Sequence, residues 1–132
     1  MNRFVDASFI VALIGKEQGW ETLADRLDEE ASFLWSGVAR WESVIALARS
    51  REWSLDQAQD AVNGFAEEYG FTLVAIGQQE TEIAIAAARQ FGRRSGHPAQ
   101  LNMGDCFAYA CAKAHRAQLL YKGDDFTQTD LA

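Results

Sequence analysis

The sequence predicts a three-layer α/β domain built on a central parallel sheet, and three observations carry that expectation. Short β-forming runs alternate with helix-length stretches along the chain. The runs are separated by far more residues than a hairpin needs, so neighbouring strands must be joined by helical crossovers and run parallel. Acidic residues recur where a candidate strand stops or a candidate helix starts, at Asp6, Glu42, Asp105 and the Asp124-Asp125 pair. In such sheets the strand C-termini and helix N-termini share one edge, and that edge binds ligands.

Each element has its own local signature. Arg3-Phe4-Val5 is a short apolar run stopped by Asp6, and the apolar stretch 8–14 that follows reads as a nearly buried helix ended by Gly15. Residues 17–30 carry Trp20, Leu23, Ala24 and Leu27 at helical spacing with acids on the other face, which predicts a second helix. Ser32-Phe33-Leu34-Trp35 is the second strand candidate, and a helix over 38–49 follows with Val38, Trp41, Ile45 and Ala48 along its apolar stripe. Ser54 is the N-cap of a helix over 55–69, which Gly70 ends. The run 71–76 is the clearest strand by composition. An Ala/Ile-rich helix over 80–91 closes at Gly92, and 92–104 reads as an irregular loop. Asp105 opens a helix over 105–116 as its N-cap, and 118–122 is the last strand, running into Gly123-Asp124-Asp125-Phe126.

Bulk properties narrow the function. With 132 residues and no linker-like or repetitive stretch, residues 1–132 are expected to form a single domain. Twelve Lys+Arg against 19 Asp+Glu give a net charge of −7, which argues against a broad basic nucleic-acid-binding surface but not against an enzyme with local basic groups. Asp6 interrupts the first apolar run, so no signal-peptide pattern opens the chain, and no stretch reaches the ~18 apolar residues of a membrane span. Cys106 and Cys111, five apart in one helix candidate, do not share a helix face and read as buried thiols. A cytoplasmic protein is expected.

Taken singly, the acids have ordinary readings. Asp6 and Asp105 fit N-caps, and Gly123-Asp124-Asp125 fits a turn. Glu42 is less ordinary, because it shares a helix row with Val38 and Ile45 and so flanks a buried stripe. Together they would repel wherever the topology brings them to one edge, unless a cation neutralises them. An all-oxygen donor set without a Cys/His cluster favours Mg²⁺ or Mn²⁺ over zinc. Such ions can activate water for in-line displacement at a phosphodiester. Asp6, Glu42, Asp105 and the Asp124-Asp125 pair are therefore read together as candidate metal ligands. Arg89, Arg93 and Arg94 before the last helix, and Lys113, His115, Arg116 and Lys122 after it, read either as solvated helix ends or as a phosphate-guiding rim. His97 and His115 are read as a loop and a helix-surface residue, and any exposed tryptophan as a mark of a partner surface.

The acids and the residues around them resemble those of the PIN-domain nucleases, in particular the VapC-type toxins. The resemblance rests on Phe4-Val5-Asp6-Ala7-Ser8, the Ser36 to Glu42 stretch, Gly104-Asp105-Cys106-Phe107-Ala108-Tyr109-Ala110, and the closing run from Leu119 to Asp130. It implies a Mg²⁺- or Mn²⁺-dependent endoribonuclease that cuts structured RNA such as tRNA or ribosomal RNA. It assigns metal and catalytic roles to Asp6, Glu42, Asp105 and one acid of the Asp124-Asp125 pair; Asp6 and Asp105 are then expected to be the principal ligands, completed by Glu42 and Asp124, with Asp125 left in the turn. It also implies a homodimer restrained by a VapB-like antitoxin. Ala7 departs from the pattern, which often has Thr or Asn there, so a supporting hydroxyl or amide is expected to be missing. A phosphorylation-dependent receiver fits poorly, since the central strand ends Ala75-Ile76-Gly77 without an acceptor Asp. The remaining alternative is a non-catalytic metal- or protein-binding α/β module.

Overall fold

A computed structural model of the chain describes residues 1–28 and 30–132. Its elements, in chain order, are β1 (Asn2–Val5), α1 (Ala7–Ile14), α2 (Trp20–Ala24), β2 (Ser32–Trp35), α3 (Gly37–Arg51), α4 (Leu55–Glu68), β3 (Thr72–Leu73), α5 (Gln78–Phe91), α6 (Met103–Ala114) and β4 (Gln118–Leu120). The strands form one sheet in the order β3-β2-β1-β4, and every pairing is parallel. Phe4 lies opposite Leu34 on one side and Leu119 on the other, so β1 is the buried centre. Helices α1 to α4 pack on one another, while α5 packs on α6. The right-handed crossover rule places these two groups on opposite faces of the sheet. The result is the expected α/β layering.

The core follows from the strand pattern. Strands covered on both faces need apolar residues at successive positions, and Phe4, Val5, Phe33, Leu34, Trp35, Leu119 and Leu120 are all buried. The helices complete the core with Phe9, Ile10, Leu47, Val62 and Cys111, and Phe126 seals its C-terminal end. Both cysteines are buried free thiols.

Three local expectations are corrected. The strand expected over 71–76 pairs only at Thr72–Leu73. Its partner β2 stops at Trp35 because Ser36 caps α3, so residues 75–76 have no ladder to join. The helix expected over 17–30 is reduced to Trp20–Ala24, entered through Gly19 in the left-handed region, and it buries no residue fully. A helix with so little packing has little to sustain its length. Glu29, within that expected span, lies outside the described residues. Finally, Asp105 is not an N-cap. Helix α6 begins a turn earlier at Met103, with Asn102 as its cap.

Order in the sheet positions the site. The chain leaves β1 toward β2, whereas β4 lies on the other flank of β1. Between β1 and β4 the connections diverge, and a crevice opens beyond the strand C-termini. Among the described residues no helix is long and apolar enough to cross a membrane.

Candidate active site

Asp6 closes β1 and caps α1. Its N–H donates to the Leu120 carbonyl (3.0 Å), so the residue is still tied to β4 where the two strands end. Its Oδ2 accepts from the Ser8 N–H (3.0 Å) and the Ser8 hydroxyl (2.6 Å). The same hydroxyl oxygen accepts from the Lys122 N–H (3.0 Å). Ser8 therefore fastens the buried Asp6 carboxylate to the chain leaving β4. The supporting hydroxyl expected to be missing at Ala7 is supplied one residue later.

Asp105 sits in the first turn of α6, held by a reciprocal capping box. The Asn102 N–H donates to Asp105 Oδ2 (3.1 Å), and the Asp105 N–H donates to Asn102 Oδ1 (2.8 Å). The pair fixes the carboxylate with only 8% of the residue exposed. Glu42 approaches from α3, whose entry is set by the buried N-cap Ser36 accepting from the Ala39 N–H (3.1 Å). Its carboxylate lies against the backbone of Gly104, next to Asp105.

These side chains line one cavity of about 610 Å³, together with Asp125, Arg49, Lys122 and an apolar wall that includes Val11, Trp41 and Ile45. Of the Asp124-Asp125 pair, Asp125 lines the cavity and Asp124, the one expected from sequence to face the metal, does not. Gly123, at φ +98°, turns the chain, and the Thr127 hydroxyl donates to the Asp124 carbonyl (2.8 Å) to close the turn. That turn presents Asp125 to the cavity, where its charge acts on both Asp6 and Asp105.

Three of these acids, Asp6, Glu42 and Asp105, hold their protons more tightly than free carboxylates do. Burial raises the Asp6 pKa despite its hydrogen bonds from Ser8, with Asp125 adding to the rise. Burial, then repulsion from Asp6 and Asp105, pushes Glu42 up to about 7. Burial also lifts Asp105 to about 6, aided by Asp125 and Asp6 and opposed by Asn102 and the more distant Arg93. The Lys122 ammonium at the cavity is engaged by Glu17 at 3.1 Å. Among the described residues, no three side chains form a ready-made metal cage.

The basic residues divide. Lys122 lines the cavity, while Arg89, Arg93 and Arg94 border a separate apolar cleft between α5 and α6. Lys113 is paired with Asp130, and His115 and Arg116 follow the end of α6. His97 is used locally, its Nδ1 accepting from the Ala99 N–H (3.1 Å). Sequence reading missed Arg49, which lies two turns beyond Glu42 on the same helical row, a spacing that could have revealed it. It also gave Ser8 no role, although a hydroxyl two residues after an N-capping Asp is a readable signal.

The PIN domain family model matches residues 3–131. The chain belongs to the PIN-domain family. Within it, this PIN domain is 40% identical to a VapC ribonuclease of Rhizobium meliloti (strain 1021), over 97% of its own length and 98% of the relative's. It is 34% identical to ribonuclease VapC42 of Mycobacterium tuberculosis, over 96% and 95% of the two chains. It is a member of the VapC ribonucleases. Solved structures share the fold at lower identity. Mycobacterium tuberculosis VapC20, described as a Sarcin-Ricin loop cleaving toxin, superposes with a TM-score of 0.72 at 18% identity, covering 95% of this chain and 92% of that one. VapBC2 from Rickettsia felis, bound to a DNA fragment from their promoter, gives 0.74 at 14% identity, covering 99% and 95%.

Proposed function

We propose that residues 1–132, as one PIN domain, act as a Mg²⁺- or Mn²⁺-dependent endoribonuclease, the toxin of a type II toxin–antitoxin pair. One observation carries the reading. Asp6, Glu42, Asp105 and Asp125 converge on one cavity, and burial together with the charges of their neighbours raises the proton affinity of Asp6, Glu42 and Asp105. The donor chemistry fits a hard divalent ion. Glu42 and Asp125 would complete the donor set around the Asp6 and Asp105 carboxylates, which Ser8 and Asn102 hold in place. Asp124, the fourth acid chosen from sequence, gives way to Asp125 in this reading.

When bound, the divalent cation supplies charge neutralisation at the phosphodiester and lowers the pKa of a coordinated water. The chain's own residues do the rest. Asp6 and Asp105 orient the site through fixed carboxylates, and Glu42 would complete the donor set. Arg49 and Lys122 at the mouth meet flanking phosphates, and the 62% exposed Trp41 offers an indole face to an unpaired base. Structured RNA with unstacked nucleotides, such as tRNA or ribosomal RNA, suits such a mouth. The Sarcin-Ricin loop named for VapC20 supports the ribosomal choice, and the VapBC2 assembly supports a VapB-like antitoxin partner. A homodimer in the cytoplasm completes the reading.

The test is cleavage of total tRNA and ribosomal RNA by the purified protein with Mg²⁺ or Mn²⁺, with EDTA, and with Asp6→Asn. Cleavage confined to the metal-loaded wild type is expected. Equal cleavage in EDTA or by Asp6→Asn would overturn the mechanism, and growth arrest on expression that survives Asp6→Asn would point instead to a binding module.

A further inference from the structure

Gly104 occupies the first turn of α6, immediately before Asp105. Its backbone is not in the left-handed region, so no turn geometry demands glycine there. In a helix, glycine is the poorer choice by about 1 kcal/mol relative to alanine. The position therefore carries a cost that something else must offset.

The space around it identifies what. A Cβ on Gly104 would stand 2.0 Å from Glu42 Oε2 and 2.5 Å from both Cδ and Oε1. Its three nearest neighbours all belong to that single carboxylate. Two other helical glycines, Gly37 and Gly64, have nothing within 4 Å of the same constructed atom, so alanine fits at both. Gly92 differs again, since its added Cβ would strike the Ala88 backbone at 2.3 Å, an obstacle to the fold itself. At Gly104 the obstacle is only the movable end of a side chain from α3. The helix can accept a methyl group there, but Glu42 cannot keep its place.

We propose that Gly104 is a positioning residue for the cation site. Its bare Cα is the seat on which the Glu42 carboxylate rests, and it lets α3 deliver that acid beside Asp105. This rests on the reading of the cavity as a divalent-cation site. Any side chain at 104 displaces Glu42 from the cavity while leaving Asp6, Asp105 and the capping box in place. Glycine at this position serves the site, not the backbone.

The experiment compares wild type, Gly104→Ala, Gly104→Ala combined with Glu42→Asp, and Gly104→Ala combined with Glu42→Ala. Two quantities are read: Mn²⁺ affinity, from the electron paramagnetic resonance signal of free Mn²⁺, and thermal stability without metal. Gly104→Ala is expected to melt no lower than wild type, yet to bind Mn²⁺ at least about tenfold more weakly, the scale of lost support around a metal ligand. Adding Glu42→Asp should restore part of that affinity, because an acid one methylene shorter clears the new methyl. Wild-type protein that binds no Mn²⁺ would defeat the cation-site reading itself. Wild type and Gly104→Ala binding equally would overturn only the role of Gly104. A Gly104→Ala protein that unfolds both with Glu42 and with Ala at position 42 would also overturn it, since the methyl would then be meeting something else. If it unfolds only when Glu42 is present, the clash is with that carboxylate, as proposed.

Discussion

Helix α6 meets an aspartate at each end, and the fold treats the two oppositely. Against its last turns, Asp130 accepts from the Tyr109 hydroxyl (2.7 Å) and is paired with Lys113. Burial works against that carboxylate, but the bonds from Lys113 and Tyr109 outweigh it and hold its pKa below the ordinary range. In the first turn, Asp105 receives one backbone N–H and faces Asp6, Asp125 and Glu42 across a cavity. Burial, with the charges of Asp125 and Asp6, pushes it up to about 6. An acid that serves the fold has been given its cation. An acid left among its own kind is held there by the rest of the structure, at a cost in stability, which is how candidate functional sites stand out from structural ones.

The contrast can be broken most severely at the cavity. Asp6→Asn or Asp105→Asn is expected to lower RNA cleavage by about 100-fold or more, the scale of removing one preorganised charge-stabilising group. Neither should lower the melting temperature of the cation-free protein at pH 8. A loss of stability there would show that these acids are structural after all, like Asp130.

The next effect is on stability. A carboxyl group whose folded pKa lies above its unfolded value binds more protons when folded, so its contribution to stability is lost as pH rises between the two. For Glu42 that window runs from 4.5 to about 7, and for Asp105 from 3.8 to about 6. Cation-free protein should therefore lose stability across this range. Saturating Mg²⁺ or Mn²⁺ should restore about 2–3 kcal/mol at pH 8, the yield of a ligand at roughly 100 times its dissociation constant, and much less at pH 5. Melting curves at the two pH values check this, and metal stabilisation that is independent of pH would contradict it.

Within the closing turn, Asp125→Asn should weaken Mn²⁺ binding by about tenfold, while Asp124→Asn should leave it unchanged. Calorimetric titration of both variants decides which acid serves the site, and the reverse pattern would restore the orientation expected from sequence. The smallest effect belongs to the partnered acid. Asp130→Asn should cost about 1 kcal/mol at pH 7, as befits a half-exposed pair with one added hydrogen bond, with cleavage unchanged in denaturant-titrated, still-folded protein. Its pKa is lowered, so its contribution is present above the unfolded value and disappears as pH falls below about 4.

Much of this was legible along the chain because its causes are local. Helical spacing of apolar residues gave α3, α4 and α5 to within a few residues, since periodicity needs only a residue and its neighbours one turn away. Acids at element boundaries could be assigned to one edge, because parallel strands joined by helices leave no other arrangement. That Asp6 and Asp105 share one edge follows from that topology.

What the tertiary structure decided are matters of meeting between distant segments. The short β3 depends on where β2 stops, the exposure of Asp125 to the cavity on the turn at Gly123, and the support of Asp6 on Ser8 reaching Lys122 across more than a hundred residues. The seat of Glu42 on Gly104 joins two helices that share no sequence signal. Local propensity acts through a few covalent neighbours, whereas the place of a carboxylate to within an ångström is set by close packing of the whole interior.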